Sequence, residues 1–213
     1  MKIGVIGAAG KQGQEVVKEA LRQGYEVTAI VRDQRKIKNP EIQVIEKDLF
    51  ALHYEDVEEQ EVIVDAFAAW TPETLLFHQT SLQYLADMLS GKPNRLLVVG
   101  GAGSLYVNPE RTIRLMDTPE FPEIFKELAG HMAAAFTSLQ ARKDVNWTYI
   151  SPAAQFDAEG KRTGRYTLGE ENLIVNAGGE SYVSYADYAI ALVDEIRNNA
   201  FAGKRFTVVS EKE

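Results

Sequence analysis

The chain has no cysteine, only three histidines, and no apolar run long enough to cross a bilayer. The first absence removes disulfides, thiolate metal sites and thiol nucleophiles together, and is compatible with a reducing compartment. His53 and His78 stand apart from any evident ligand partner, so no metal site is expected. Cations are also outnumbered: 23 Lys and Arg against 31 Asp and Glu give a net charge of −8 with no basic tract, which argues against a nucleic-acid surface. With the first core strand beginning at residue 2, no leader is expected, nor a membrane partner, and a cytoplasmic location is the default. What remains is an ordinary composition, 45% hydrophobic and 25% charged over 213 residues, enough to bury a substantial core in a single domain 1–213.

The most informative stretch is MKIGVIGAAGKQGQEV, residues 1–16. A short apolar strand runs into Gly7, Gly10 and Gly13, and a helical pattern starts at once. That order suits the pyrophosphate of a dinucleotide. Gly7 permits the tight turn, Gly10 lets backbone N–H groups approach the phosphates, and Gly13 lets the helix pack closely on the strand with its positive N-terminus facing the anion. The spacing G-x-x-G-x-x-G differs from the usual G-x-G-x-x-G, but it lies between a strand and a helix as the motif requires. Ala9, Lys11 and Gln12 belong to the same loop.

Strand and helix patterns then alternate. Strands are expected at 25–31, 42–45, 61–66, 95–100, 146–151 and 205–209, and helices at 72–90, 121–141 and 185–198. Several strands are apolar throughout, as in a parallel sheet covered on both faces. The expected fold is therefore α/β: a single-domain Rossmann-type, doubly wound, mainly parallel sheet with helices on both faces. Residues 153–183 break the rhythm and are read as a small lid and hairpin insertion covering the substrate.

At the end of the second strand, Arg32 is the first polar residue, with Arg35 and Lys36 close behind. An NAD site places an acid here to bind the ribose 2′-OH, whereas cations suit the 2′-phosphate of NADP(H). NADP(H) is accordingly preferred over NAD(H), with Asp33 as the competing 2′-OH ligand should Arg32 point away. Asp48 and Leu49 fall where such folds contact adenine, and Phe67 and Ala68 where the fourth strand passes the cofactor; turn or core roles fit them equally.

None of the nine tyrosines is followed four residues later by lysine, so the Tyr/Lys acid of standard short-chain dehydrogenases is missing. The chain nevertheless resembles an atypical short-chain dehydrogenase/reductase of the NAD(P)-binding, NmrA-like group, and within it the NADH-flavin reductases, themselves similar to flavin/biliverdin-IXβ reductases. The resemblance covers nearly the whole chain. It rests on Gly7-Ala8-Ala9-Gly10-Lys11-Gln12-Gly13, Val31-Arg32-Asp33, Lys47-Asp48-Leu49 and Tyr185-Ala186-Asp187-Tyr188-Ala189, and most specifically on Gly100-Gly101-Ala102-Gly103-Ser104-Leu105 with Trp147-Thr148-Tyr149-Ile150-Ser151-Pro152-Ala153. It implies that Pro152 and Ala153 lie beside the nicotinamide and that Gly100 and Gly101 border the ring. It also puts His131 on a helix where those reductases have a histidine, and aligns their serine with Ala102, so that Ser104 is displaced.

Two catalytic candidates follow. Ser104 could bond a carbonyl or serve only to turn its loop, and His131 could donate a proton or be a half-buried structural residue. Trp70, Tyr106 and Phe156 could stack on a planar substrate, and Lys161, Arg162 and Arg165 could draw a flavin phosphate. The expected function is hydride transfer from NAD(P)H to a flavin (FMN or FAD) or similar planar acceptor, for which orientation matters more than a protein acid. The alternative is a sensor that binds NAD(P) without turnover; an epimerase or dehydratase is disfavoured by the missing Tyr and Lys. Expected partners are a small planar acceptor and, as an assembly, a homodimer.

Overall fold

A computed structural model describes residues 1–212. In chain order the elements are β1 (Lys2–Ile6), α1 (Lys11–Arg22), β2 (Glu26–Val31), β3 (Gln43–Glu46), α2 (Tyr54–Val57), β4 (Val62–Asp65), α3 (Phe77–Met88), β5 (Arg95–Val99), α4 (Lys126–Gln140), β6 (Asn146–Ser151), β7 (Gln155–Asp157), β8 (Tyr166–Gly169), β9 (Tyr182–Ser184), α5 (Tyr185–Asn198) and β10 (Lys204–Ser210). The main sheet has the order β3-β2-β1-β4-β5-β6-β10-β8. Its pairs are parallel except at β10–β8, where Val208 faces Leu168 in antiparallel register. The mainly parallel, doubly wound α/β fold expected from the βα alternation is present.

Both faces of the sheet are covered, and the strands show why. Along β4, Val62 and Val64 join the core beneath α1 and α5, while Ile63 joins the opposite core beneath α3 and α4. A strand buried on both sides needs apolar residues at every position rather than every second one. On the first face Val16, Ala20, Tyr188 and Leu192 close over the sheet; on the other Leu82, Leu85, Phe136 and Leu139 do so. The parallel strands therefore deliver the segments that follow them to a single edge, and the order reverses between β1 and β4, the place where open α/β sheets form a crevice.

Three expectations are corrected in detail. The helix expected over 72–90 begins as a 3-10 turn at Pro72–Thr74 and becomes α-helical only at Phe77. The helix expected over 121–141 starts at Lys126, because Glu123–Phe125 before it form a 3-10 turn, in which Ile124 is 82% exposed. Within 153–183 there is no hairpin: β8 extends the main sheet along β10, and β7 and β9 pair in parallel with each other. The polar character of the segment, which reads as a lid in sequence, reflects attachment to the sheet's flank. Arg162 pairs with the buried Glu19 of α1 at 3.1 Å, and the Thr163 and Gly164 N–H groups donate to Asp187 of α5 at 2.9 Å.

Candidate functional site

At the head of β1 the chain turns at Gly7 (φ +75°), a conformation L side chains rarely adopt, and a Cβ there would stand 2.6 Å from the Ala66 carbonyl oxygen. Gly10 donates its N–H to the Gly7 carbonyl at 2.8 Å and caps α1. A Cβ at Gly13 would run into that same carbonyl, so glycine is what lets the helix settle onto the loop. No side chain caps α1 and its first turn carries no acid, so its N-terminal N–H groups remain open to an anion. Nearby, Gln12 is buried; its amide donates to the Tyr185 carbonyl at 3.3 Å, while its Oε1 has no partner. An uncapped helix, a backbone cradle that side chains would fill and an orphaned buried acceptor together fit a dinucleotide pyrophosphate.

The other loop residues are less direct. Ala9 offers its carbonyl to the Gln14 amide at 2.8 Å, and Lys11 pairs with Glu159 at 3.0 Å. At the end of β2, Asp33 is engaged: it receives a bidentate pair from Arg35 at 2.8 and 3.0 Å and also accepts the Arg35 backbone N–H. This contact holds its carboxyl below the usual range. Arg32 and Lys36 are exposed and make no ion pair among the described residues. Asp48 caps a short turn through the Phe50 N–H at 3.0 Å, and Leu49 is core.

Alongside this loop a cleft of about 400 Å³ opens at the same sheet edge. Gln12, Phe67, Ala68, Gly100, Gly101 and Ser104 line it, and so do Pro152 and Ala153. Phe67 and Ala68 after the fourth strand thus share one cavity with Gly100, Gly101, Pro152 and Ala153. The glycines are structural necessities here: a Cβ on Gly100 would enter the ring of Tyr149, whose hydroxyl oxygen accepts the Gly101 N–H at 3.3 Å. Burial pushes that phenol up to about 12, so it is neutral at physiological pH. The outer wall comes from residues 102–125, including Leu115, Phe121 and Phe125. This stretch is tied to itself by Met116 N–H to the Gly103 carbonyl at 2.9 Å, and to residues 171–173 through Tyr106. Of 153–183, Ala153, Ala154 and Phe156 reach the cleft; Lys161, Arg162 and Arg165 do not line it.

The structure separates the two catalytic candidates. Ser104 lines the cleft, and its Oγ accepts a hydrogen bond from Arg205 Nη1 at 2.8 Å. His131 does not line the cleft; its Nδ1 is hydrogen-bonded to the Gln79 amide at 2.7 Å, a link between α4 and α3. The histidine at the cleft is His78, a tethered ring whose Nε2 lies 3.0 Å from the Ala69 carbonyl oxygen and 3.3 Å from the Ala69 backbone nitrogen, and whose pKa burial lowers. Helix α4 meets the cleft with Leu128, Ala129, Met132 and Ala133, and His131 is turned from that face toward Gln79 of α3. Trp70 and Phe156 line the cleft as stacking surfaces, with Phe156 tilted against Tyr185 at 4.1 Å, whereas Tyr106 bridges loops elsewhere. Sequence reasoning missed Tyr185 and Arg205; a lone arginine in the apolar closing strand was the available signal.

Buried beside Phe67 lies Asp65, which accepts the Phe67 N–H at 3.0 Å and whose carboxyl is pushed up to about 6 by desolvation. A void of about 20 Å³ separates it from Ser81, His78 and Tyr149.

A sheet of this order, with a glycine-lined helix N-terminus at its switch point and an apolar cleft beside it, defines a dinucleotide-binding protein. The chain belongs to the NAD(P)H-binding family, whose model matches residues 7–199. It is 48% identical to the uncharacterized protein YwnB of Bacillus subtilis (strain 168) over the full length of both chains. Among solved structures it is similar to SP1627 of Streptococcus pneumoniae TIGR4, a putative NADH-flavin reductase, at 43% identity and TM-score 0.95, covering 99% of this chain and 100% of that one. A short-chain dehydrogenase/reductase (wide type) from Veillonella parvula DSM 2008, in complex with NADP, shares the fold at 18% identity and TM-score 0.72, over 98% and 94% of the two chains. Among the described residues no helix is long and apolar enough to cross a membrane, and no cluster of residues suited to a metal is found.

Proposed function

We propose that the protein is an NAD(P)H-dependent reductase that transfers hydride to a planar, redox-active acceptor such as a flavin. The observation that carries this reading is the joining of the α1 anion site to an apolar cleft walled by Gly100, Gly101, Pro152 and Ala153, with aromatic surfaces from Trp70 and Phe156. The nicotinamide supplies the hydride when bound. The chain's own contribution is to cradle the pyrophosphate on Gly7–Gly13, to hold acceptor and ring face to face, and to exclude water from the apolar floor. Among the described residues the cleft presents no lysine or arginine as a proton donor, and burial lowers the pKa of its histidine, His78. An acceptor that stabilises the incoming electrons itself needs no such donor. The likeness to SP1627 supports a flavin as that acceptor.

For the cofactor we favour NADP(H). Asp33 is already committed to Arg35 and to the turn it caps, while Arg32 and Lys36 stand exposed at the strand end. The other reading, a cytoplasmic sensor of NmrA-like type that binds NAD(P) without turnover, draws on the same lack of a Tyr/Lys acid. Oxidation of NADPH by the purified protein, followed by loss of its absorbance with and without FMN, FAD or a quinone, decides between them. Acceptor-dependent turnover is expected; tight NADPH binding with no turnover on any acceptor favours the sensor.

A further inference from the structure

We infer that Arg205, held by Glu171, fixes the Ser104 hydroxyl as the hydrogen-bond donor to the carbonyl oxygen of an uncharged, conjugated acceptor in the cleft. This rests on the reductase reading and adds two things to it: a pair of residues acting through Ser104, and the charge class of the acceptor.

Arg205 interrupts the apolar strand β10, and its side chain is 1% exposed. Its guanidinium lies over the Phe136 ring at 4.5 Å and is neutralised by Glu171. Nη1 donates to Ser104 Oγ at 2.8 Å, and the buried Nε has no partner. An ion pair this buried is a weak source of stability, since well-packed apolar side chains of similar volume do as well or better. What the arrangement does achieve is geometric. An arginine can only donate, so the Ser104 oxygen must accept, and its own hydrogen is turned toward another acceptor. No protein acceptor takes that hydrogen among the described residues, and Ser104 faces the cleft. Two other hydroxyls reach the cleft: Thr118 already donates to the Leu115 carbonyl at 2.9 Å, and Tyr185 opens α5 with its ring 4.1 Å from that of Phe156.

Among the described residues the cleft has no lysine or arginine, and its one acid, Glu120, is exposed. An anionic acceptor would meet no counter-charge there, whereas a neutral ring bearing a carbonyl fills the apolar floor and meets the oriented Ser104 hydroxyl. Such an acceptor takes a hydride with its two electrons from the reduced nicotinamide, which is left oxidised. Negative charge gathers on the acceptor's carbonyl oxygen, where Ser104 donates, and a solvent proton completes the product. Ser104 is then the catalytic residue, and Arg205 and Glu171 are positioning residues. A quinone and the uncharged ring of a flavin share this chemistry.

The test is a double-mutant cycle with menadione and, separately, riboflavin and FMN as acceptors. Ser104→Ala and Arg205→Met are each expected to lower kcat by about ten- to a hundredfold, up to the low end of what one lost oxyanion donor costs. The Ser104→Ala/Arg205→Met double variant should be no slower than Ser104→Ala alone. Affinity for NADPH should be unchanged throughout. Quenching of cleft tryptophan fluorescence by menadione, in the absence of cofactor, should weaken in both single variants and no further in the double. Riboflavin should be turned over at least as well as FMN. If Arg205→Met does not fold, Glu171→Gln completes the same cycle. Further loss in the double variant, or a marked preference for FMN over riboflavin, overturns this inference alone; a parent protein inactive with every acceptor overturns the reductase reading and this inference with it.

Discussion

Asp65→Asn should stabilise the protein, and the gain should depend on pH in a way that identifies its cause. Asp65 ends β4 inside the fold, with its carboxyl pushed from an ordinary 3.8 to about 6 by desolvation, opposed only in part by the Phe67 N–H. Its folded pKa is raised, so the sign is opposite to that of a salt-bridged acid. At about pH 3 and below the group is protonated in both folded and unfolded chains and almost no penalty exists. As pH rises toward 6 the unfolded chain ionises while the folded one holds its proton, and stability is lost; above 6 the loss is complete. The interval between 3.8 and about 6 corresponds to about 3 kcal/mol. Asparagine keeps an oxygen for the Phe67 N–H and carries no charge. Its new N–H groups need acceptors or a water, and the adjoining void of about 20 Å³ has room for one. Any shortfall there applies equally at every pH, so the decisive quantity is the difference between variant and parent at about pH 7.5 minus that at about pH 3. Urea denaturation should give about 3 kcal/mol for it, and melting should show it as roughly 6–12 °C for a chain of this size. A difference independent of pH would mean that Asp65 is ionised in the fold and solvated through that void.

Three further outcomes follow from the site. Gly10→Val should fold, since a Cβ there meets nothing nearer than the Gly7 carbonyl at 3.2 Å, yet abolish NADPH binding by blocking the pyrophosphate; unchanged affinity by titration calorimetry would remove the cradle from the account. Arg32→Ala should weaken NADPH by about 1.5–3 kcal/mol while leaving NADH nearly untouched; equal losses would show that Arg32 does not select. His131→Ala should reduce reductase turnover by roughly tenfold or less, short of the 10²–10⁴-fold typical of general acid–base assistance, whereas Ala153→Leu, with folding verified by circular dichroism, should hurt more by displacing the acceptor. A thousandfold loss in His131→Ala with NADPH binding intact would make that histidine a proton donor after all.

How legible all this is in the sequence depends on the range of the interaction. The glycine turn, the parallel strands and α5 are readable because each is written in contiguous residues: Gly7, Gly10 and Gly13 answer to one loop, and Val62-Ile63-Val64 to burial on two faces. Element starts are less so, since Pro72 and Glu123 open 3-10 turns whose three-residue step looks helical in one dimension. Gly100 and Pro152, which the resemblance sets near each other, line one cleft because each follows the end of a neighbouring parallel strand, β5 and β6. His131 and His78 could not be ranked in advance, because which one reaches the cleft depends on how α3 and α4 rotate against each other. Arg205 and Glu171 come from distant segments, and nothing local marks them as partners of Ser104.

The division of labour around the cleft has an evolutionary corollary. Its inner wall is made by backbone and the smallest side chains at the strand ends, where substitution is penalised by the fold itself, as Gly100 against Tyr149 illustrates. Its outer wall is one uninterrupted stretch between β5 and α4, braced by its own hydrogen bonds and by residues 171–173. Acceptor preference can therefore drift through a single contiguous passage of sequence while the dinucleotide machinery stays fixed. In relatives with this fold that passage is the natural unit for grafting: exchanged together with its 171–173 brace, it should carry one enzyme's choice of acceptor into another without disturbing which dinucleotide either one uses.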